Sequence, residues 1–217
     1  MTYQIKKICI GLAALLLCLP FSACKQTSAT QSFPEPITGS KLESLRAEYP
    51  YVEGNPFASV VGVSELKDFN KENFAGFVQV TITGKPEILS TSLAPAEGMD
   101  ATTITNYQIS AHVDSVLYQS NLFGGEHDIK LCLSGAANGQ NIEKYAEGLQ
   151  FVVAISIPYP NTMEAELKAA YLCSCSGTYY VTDQNFLLEM SQAHPAIYKY
   201  SGWNLEAFCQ ELNRVFS

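Results

Sequence analysis

The sequence predicts a mainly β protein in which five to seven strands close as a small barrel, with short peripheral helices and a C-terminal helix. Three observations carry that expectation. Segments that alternate apolar and polar residues recur between residues 77 and 182. Gly-, Pro- and Asn-rich stretches punctuate them, and the clearest helical stripe comes last, over 204–216. The chain has 217 residues, 47% apolar and 16% charged, which is one domain's worth of material and too few charges for a disordered chain.

Ahead of the barrel stands an export-type leader. Lys6 and Lys7 give it a positive start, residues 8–19 are an apolar run, and Pro20 breaks that run before Ser22-Ala23, small residues that fit a signal peptidase cleft. The run is shorter than the roughly 20 residues of a membrane span. Cys24 follows, and Phe21-Ser22-Ala23-Cys24 resembles a bacterial lipoprotein lipobox, with Phe21 where Leu is usual. Cys18 is a poorer candidate because bulky Leu17 precedes it. The resemblance implies that Cys24 takes a diacylglyceryl group and a palmitate-type acyl chain, and two or more chains anchor a protein stably. The organisation expected is therefore a signal peptide at 1–23, a lipidated N-terminus and flexible tether at 24–39, and a barrel domain with flanking helices at 40–217. Losing the 23 leader residues leaves 194 of the 217 and, with Lys6 and Lys7 gone, takes the charge from −8 to −10. So acidic a body argues against nucleic acid as a partner, because that binding draws on cationic contacts to phosphate.

Along the body, Ser40-Lys41-Leu42-Glu43 reads as a capping box opening a short helix that Pro50 stops. Residues 57–63 form a short β-rich segment, and Leu66, Phe69 and Phe74 follow at near-helical spacing. Residues 77–83 put Val78, Val80 and Ile82 on one strand face, and a Pro-, Ala-, Thr- and Gly-rich loop is expected over 84–104. A long strand at 107–118 and a shorter one at 128–134 come next, joined by a loop at 119–127. The nearly continuous apolar run of 149–157 predicts a strand covered on both faces. Residues 170–175 and 178–182 read as a hairpin across Ser176-Gly177, and 185–190 as one more edge. Asn204 caps the final helix, whose apolar stripe is Leu205, Phe208, Cys209, Leu212, Val215 and Phe216.

Certain of these patterns together resemble a family. Tyr145-Ala146-Glu147-Gly148 leads into Leu149-Gln150-Phe151-Val152-Val153, and Gly202-Trp203-Asn204-Leu205-Glu206 opens the last helix. Over residues 60–216 the chain is similar to small bacterial lipoproteins of Gram-positive type, of unknown function, whose domain is an OB-like barrel. The resemblance implies an OB-like antiparallel barrel and supplies no catalytic residue.

Candidate chemistry centres on four cysteines, Cys132, Cys173, Cys175 and Cys209. Thiols outside the cytoplasm tend to oxidise. Cys173 and Cys175, two apart on a strand, have Cα atoms about 6.5–7 Å apart, at or beyond the reach of one disulfide. Two complete pairings remain open, 132–173 with 175–209 and 132–175 with 173–209, beside the reading in which all four are buried thiols. Tyr179, Tyr180, Tyr198, Tyr200 and Trp203 are candidates to line a groove for a sugar or peptide, or else to pack the core. Glu126-His127-Asp128 is a solvated loop and His112 a surface residue, so no metal and no cofactor are expected. The sequence holds no Gly-x-Ser-x-Gly, His-Glu-x-x-His, P-loop or Gly-x-Gly-x-x-Gly motif. These features lead to the expectation of a non-enzymatic, lipid-anchored module on the extracytoplasmic face of a bacterial membrane, binding a protein or small molecule through loops 84–104 and 119–127. The alternative is a thiol-dependent envelope oxidoreductase using Cys173 or Cys175.

Overall fold

A computed structural model describes residues 33–52, 65–69, 71–93, 102–135, 139–158, 170–190 and 199–217. The elements in chain order are α1 (Gly39–Leu45), a 3-10 turn (Leu66–Asp68), β1 (Phe74–Ile82), β2 (Glu87–Leu93) and β3 (Thr102–Gln119). After them come β4 (Asp128–Ser134), a 3-10 stretch (Gly139–Lys144), β5 (Gln150–Ser156), β6 (Tyr171–Val181), β7 (Leu187–Glu189) and α2 (Leu205–Phe216).

Five strands close on themselves. β1 pairs with β5 and with β3, β3 with β4, β5 with β6, and β6 with β4, so the ring runs β1-β5-β6-β4-β3 and back to β1. β2 extends β3 as a hairpin arm, and β7 adds to the free end of β6. The OB-like barrel is thereby observed, with one departure from an antiparallel barrel: β4 and β6 run parallel. The reason is parity. A ring with an odd number of strands cannot alternate direction all the way round.

Two apolar layers follow from the strand period of two. Val78, Val80 and Ile82 of β1 point into the barrel with Ile109, Ala111, Leu131, Phe151 and Val153. Their neighbours Phe77, Val152, Ala154 and Tyr179 point outward, yet they too are buried, beneath Phe208 and Leu212 of α2 and Leu66 and Phe69 of the first 3-10 turn. β5 is covered on both faces as its apolar run predicts. α2 starts where expected, with the Asn204 side chain accepting from the Glu206 N–H at 3.0 Å. One end of the barrel is closed by Leu42, Leu45 and Tyr49 around α1 and by Ile142 and Tyr145 of the second 3-10 region, which the Lys144 ammonium ties to the Tyr51 carbonyl.

Four expectations are corrected. The 84–104 stretch is not all loop: 87–93 and 102–104 are strand, because the β-prone residues Ile88, Leu89 and Thr91 find partners in β3 that local composition does not reveal. Residues 170–182 form no hairpin. Gly177 lies inside β6, opposite Ala154 and Phe77, where a Cβ would stand 2.5 Å from the Ala154 Cβ. Glycine there answers a close approach, and residues 175–177 make an irregularity between the 153↔178 and 154↔174 pairs. Ser40 does not cap α1, which begins at Gly39 after Thr38 without a side-chain bond. The near-helical spacing of Leu66, Phe69 and Phe74 holds one 3-10 turn, and Phe74 opens β1, though all three pack into the outer layer. The 57–63 segment lies outside the described residues.

Candidate binding surfaces

With α2 and the 3-10 turn over the outer side of β1, β5 and β6, the outer side of β3 and β4 is left to solvent, among the described residues, over 110–114 and 128–130, while Tyr118 packs under α2 and Cys132 is covered. Ser110, His112 and Asp114 of β3 and Asp128 and Lys130 of β4 are all exposed there. Strand register pairs Ser110 with Lys130 and His112 with Asp128. His112 stands opposite Asp128, with Nδ1 at 2.9 Å from Oδ1, and the Lys130 ammonium donates to Gln108 Oε1 at 3.1 Å. Asp114 Oδ2 accepts from the Thr81 hydroxyl at 2.7 Å and from the Gln150 amide at 3.0 Å. This surface is polar and of mixed charge, suited to hydrogen-bonded recognition. On the adjoining edge strand β2, Ile88 is 70% exposed.

The connection at 120–127 is pinned at both ends. The Ser120 hydroxyl donates to the Phe74 carbonyl at 2.8 Å, buried Phe123 packs on the Tyr171 ring, and the His127 carbonyl accepts from the Val113 N–H. The Tyr171 hydroxyl donates to Glu126 Oε2 at 3.0 Å, and burial first and Glu126 second push it up from its ordinary range. His127 stacks beside His112 at 6.3 Å between ring centroids. No group of three His, Cys, Asp or Glu side chains gathers as a metal would need among the described residues.

Of the two readings of the aromatic residues, core packing holds for three: Tyr179 and Tyr180 are buried on doubly covered β6, and Tyr200 is buried ahead of α2. Tyr179 packs on Phe208, the Tyr180 hydroxyl donates to the Pro50 carbonyl at 2.9 Å, and Tyr200 meets Phe208 and Trp203 edge-on. Trp203 is half-buried, and Tyr198 lies outside the described residues.

The cysteines fall on different layers. Cys132 is buried outside the barrel with Ala170, Leu89 and Leu172, whereas Cys173 packs against the inner core. Cys132 is in register with Leu172, so alternation sends Cys132 and Cys173 to opposite sides of the sheet. Cys209 is half-buried on α2, and Cys132 and Cys209 are free thiols. Burial pushes the Cys132 thiol up to about 11 and raises that of Cys209. Cys24 and the Cys175 side chain lie outside the described residues.

Two charged groupings escaped sequence reading. Arg46, just after α1, forms an ion pair with Glu189 of β7 at 2.5 Å, both nearly inaccessible. A recess of about 240 Å³ gathers Lys67, Lys199 and Arg214 with Glu65 and Glu211. Their members are scattered along the chain, so no local spacing could have signalled either. Comparison with protein-family models, curated proteins and solved structures found no match to this chain.

Proposed function

We propose that this chain is a lipid-anchored, extracytoplasmic module of the small bacterial lipoprotein kind, noncatalytic, which binds a protein or small-molecule ligand through the open outer side of β3 and β4. The observation that carries the reading is the asymmetry of the barrel. One side is sealed by α2, while the other presents Ser110, His112, Asp128 and Lys130 uncovered, and OB barrels commonly bind across a sheet face and its adjoining loops. The lipobox ending at Cys24 and the polar tether support placement at a membrane surface. No helix among the described residues is long and apolar enough to cross a membrane. Burial raises the thiols of Cys132 and Cys209, opposite to the lowered value that a nucleophilic cysteine needs.

The test has two arms. Metabolic labelling with an alkynyl palmitate should mark the parent and leave Cys24→Ala unlabelled; equal labelling of both rejects the anchor. Ser110→Glu with Lys130→Glu should abolish capture of surface partners from intact cells, whereas Glu206→Lys on the sealed side should not. Unchanged capture by the double variant rejects the face.

A further inference from the structure

The recess beside α2 has the chemistry of an anion site. Its three cations come from three separate places: Lys67 from the first 3-10 turn, Lys199 from the stretch before α2, and Arg214 from the last turn of α2. Against two carboxylates they leave the recess with one net positive charge, on a chain whose formal charge is −8.

The two carboxylates are already spoken for. Glu211 is gripped by Arg214 through Nε at 2.6 Å and a terminal nitrogen at 2.8 Å, and Lys67 sits 2.9 Å from Glu65. These partners hold both carboxyls below their usual range, so both stay charged. Lys199 is different. Its ammonium lies 5.4 Å from the Tyr200 ring centroid, and no carboxylate among the described residues comes within ion-pair distance of it. It lines the same recess as the two pairs.

Donors are left over. A lysine ammonium carries three N–H groups and a guanidinium five, so Lys67 and Arg214 each retain donors beyond those their glutamates take. Lys199 has all three of its own. Leu66, Tyr200 and Val215 form the floor of the recess beneath the charged heads. Burial and the neighbouring Glu211 push the Tyr200 hydroxyl up to about 12, so it stays a neutral donor. Three cationic heads lining one recess match the three outer oxygens of a phosphate better than the two of a carboxylate.

We propose that this recess binds a phosphate group, that of a small soluble ester or of a lipid headgroup, with Lys199 as the principal contact and Lys67 and Arg214 flanking it. The site is independent of the lipid anchor and of the β3–β4 face, so it stands or falls separately from both.

The chain carries its own reporter. Trp203 is its one tryptophan and meets Tyr200 edge-on at 5.1 Å. Full-length protein in neutral detergent, titrated with inorganic phosphate at constant ionic strength, should show a saturable change in Trp203 emission. Lys199→Gln should raise the midpoint at least about tenfold, while Lys85→Gln, at an exposed lysine outside both surfaces, should leave it unchanged. Equal urea midpoints for the two variants would separate lost binding from lost folding. A response that chloride reproduces, or a midpoint indifferent to Lys199→Gln, overturns the site. Acetate binding as tightly as phosphate overturns the phosphate assignment. Glycerol 3-phosphate and micellar dihexanoyl phosphatidic acid then identify the source, the tighter of the two naming it.

Discussion

Arg46 and Glu189 offer the sharpest test of how this barrel holds its N-terminal segment. The pair joins the chain just past α1 to β7, with side chains 10% and 4% exposed. Arg46 also donates to the Glu189 carbonyl at 2.8 Å and stacks 3.9 Å over the Tyr51 ring, while the Tyr51 hydroxyl donates to Glu189 Oε1 at 3.0 Å. The hydrogen bonding is incomplete, for Arg46 Nε and Glu189 Oε2 have no hydrogen-bond partner. Removing one member strands the other as a buried charge, at about 3–5 kcal/mol. Arg46→Met should therefore lower Tm by roughly 6–20 °C, at about 2–4 °C per kcal/mol for a domain of this size. Arg46→Met with Glu189→Leu removes both charges and both desolvation costs, so it should lie near the parent, giving a coupling of at least about 2 kcal/mol. Urea denaturation followed by circular dichroism measures all four corners of the cycle. A single Arg46→Met within about 1 kcal/mol of the parent would refute the reasoning, as would a double variant no better than the sum of the two singles.

Three shorter predictions follow from other parts of the molecule. Gly177→Ala should destabilise by about 1–3 kcal/mol through overpacking against Ala154 and Phe77, whereas a glycine at an exposed hairpin turn would tolerate alanine better; a urea midpoint within error of the parent would reopen the hairpin reading. Glu211 is held below its ordinary 4.5 chiefly by Arg214, with burial opposing. Its contribution is therefore present above the unfolded pKa and lost as pH falls through the lower folded value. The stability gap between parent and Arg214→Gln should accordingly be seen near neutrality and close as pH falls through and below the folded value, and a gap independent of pH would contradict the assignment. Cys132, buried and raised to about 11, should react with an aromatic disulfide reagent only after denaturation, and fast native labelling mapped to it by mass spectrometry would show the outer layer to be open there.

What the sequence made legible was local. Val78, Val80 and Ile82 alternate, residues 151–155 are continuously apolar, and Asn204 heads an amphipathic helix, so each of these elements announces itself within a dozen residues. What it hid was set by distant partners. β2 looks like loop because Gly84 and Pro86 precede it and nothing nearby shows that β3 will pair with it. β6 looks like two strands because glycine is the usual mark of a turn, and only the approach of Ala154 and Phe77 explains Gly177 as a packing requirement. The aromatic residues left groove and core both open for a related cause. Tyr179 and Tyr180 are buried because β6 is covered on both faces there, and that covering comes from α2 and the N-terminal segment, far off in sequence. The candidate surfaces were least legible of all, since an exposed polar residue on a strand looks the same whether or not an element covers its neighbours.

Ring parity makes one seam of the barrel weaker than the rest. The parallel β4–β6 join is held by two residue pairs, Leu131 with Tyr171 and Cys132 with Leu172, whereas β1 and β5 are joined by seven. Parallel pairing is also slightly less stable per residue. The seam is reinforced from outside by the small apolar group of Cys132, Ala170, Leu172 and Leu89, in which Leu89 comes from the hairpin arm β2. Local opening should therefore begin at this seam, and native-state hydrogen exchange can read it directly. Amides of residues 131–133 and 171–173 directed across the seam should exchange faster than those of residues 151–153 directed at β1. Leu89→Ala should speed the first set and leave the second unchanged, because β2 touches only the outside of the ring. Uniform exchange across both sets would mean that the barrel opens as one unit, and the parity argument would then explain its topology but not its dynamics.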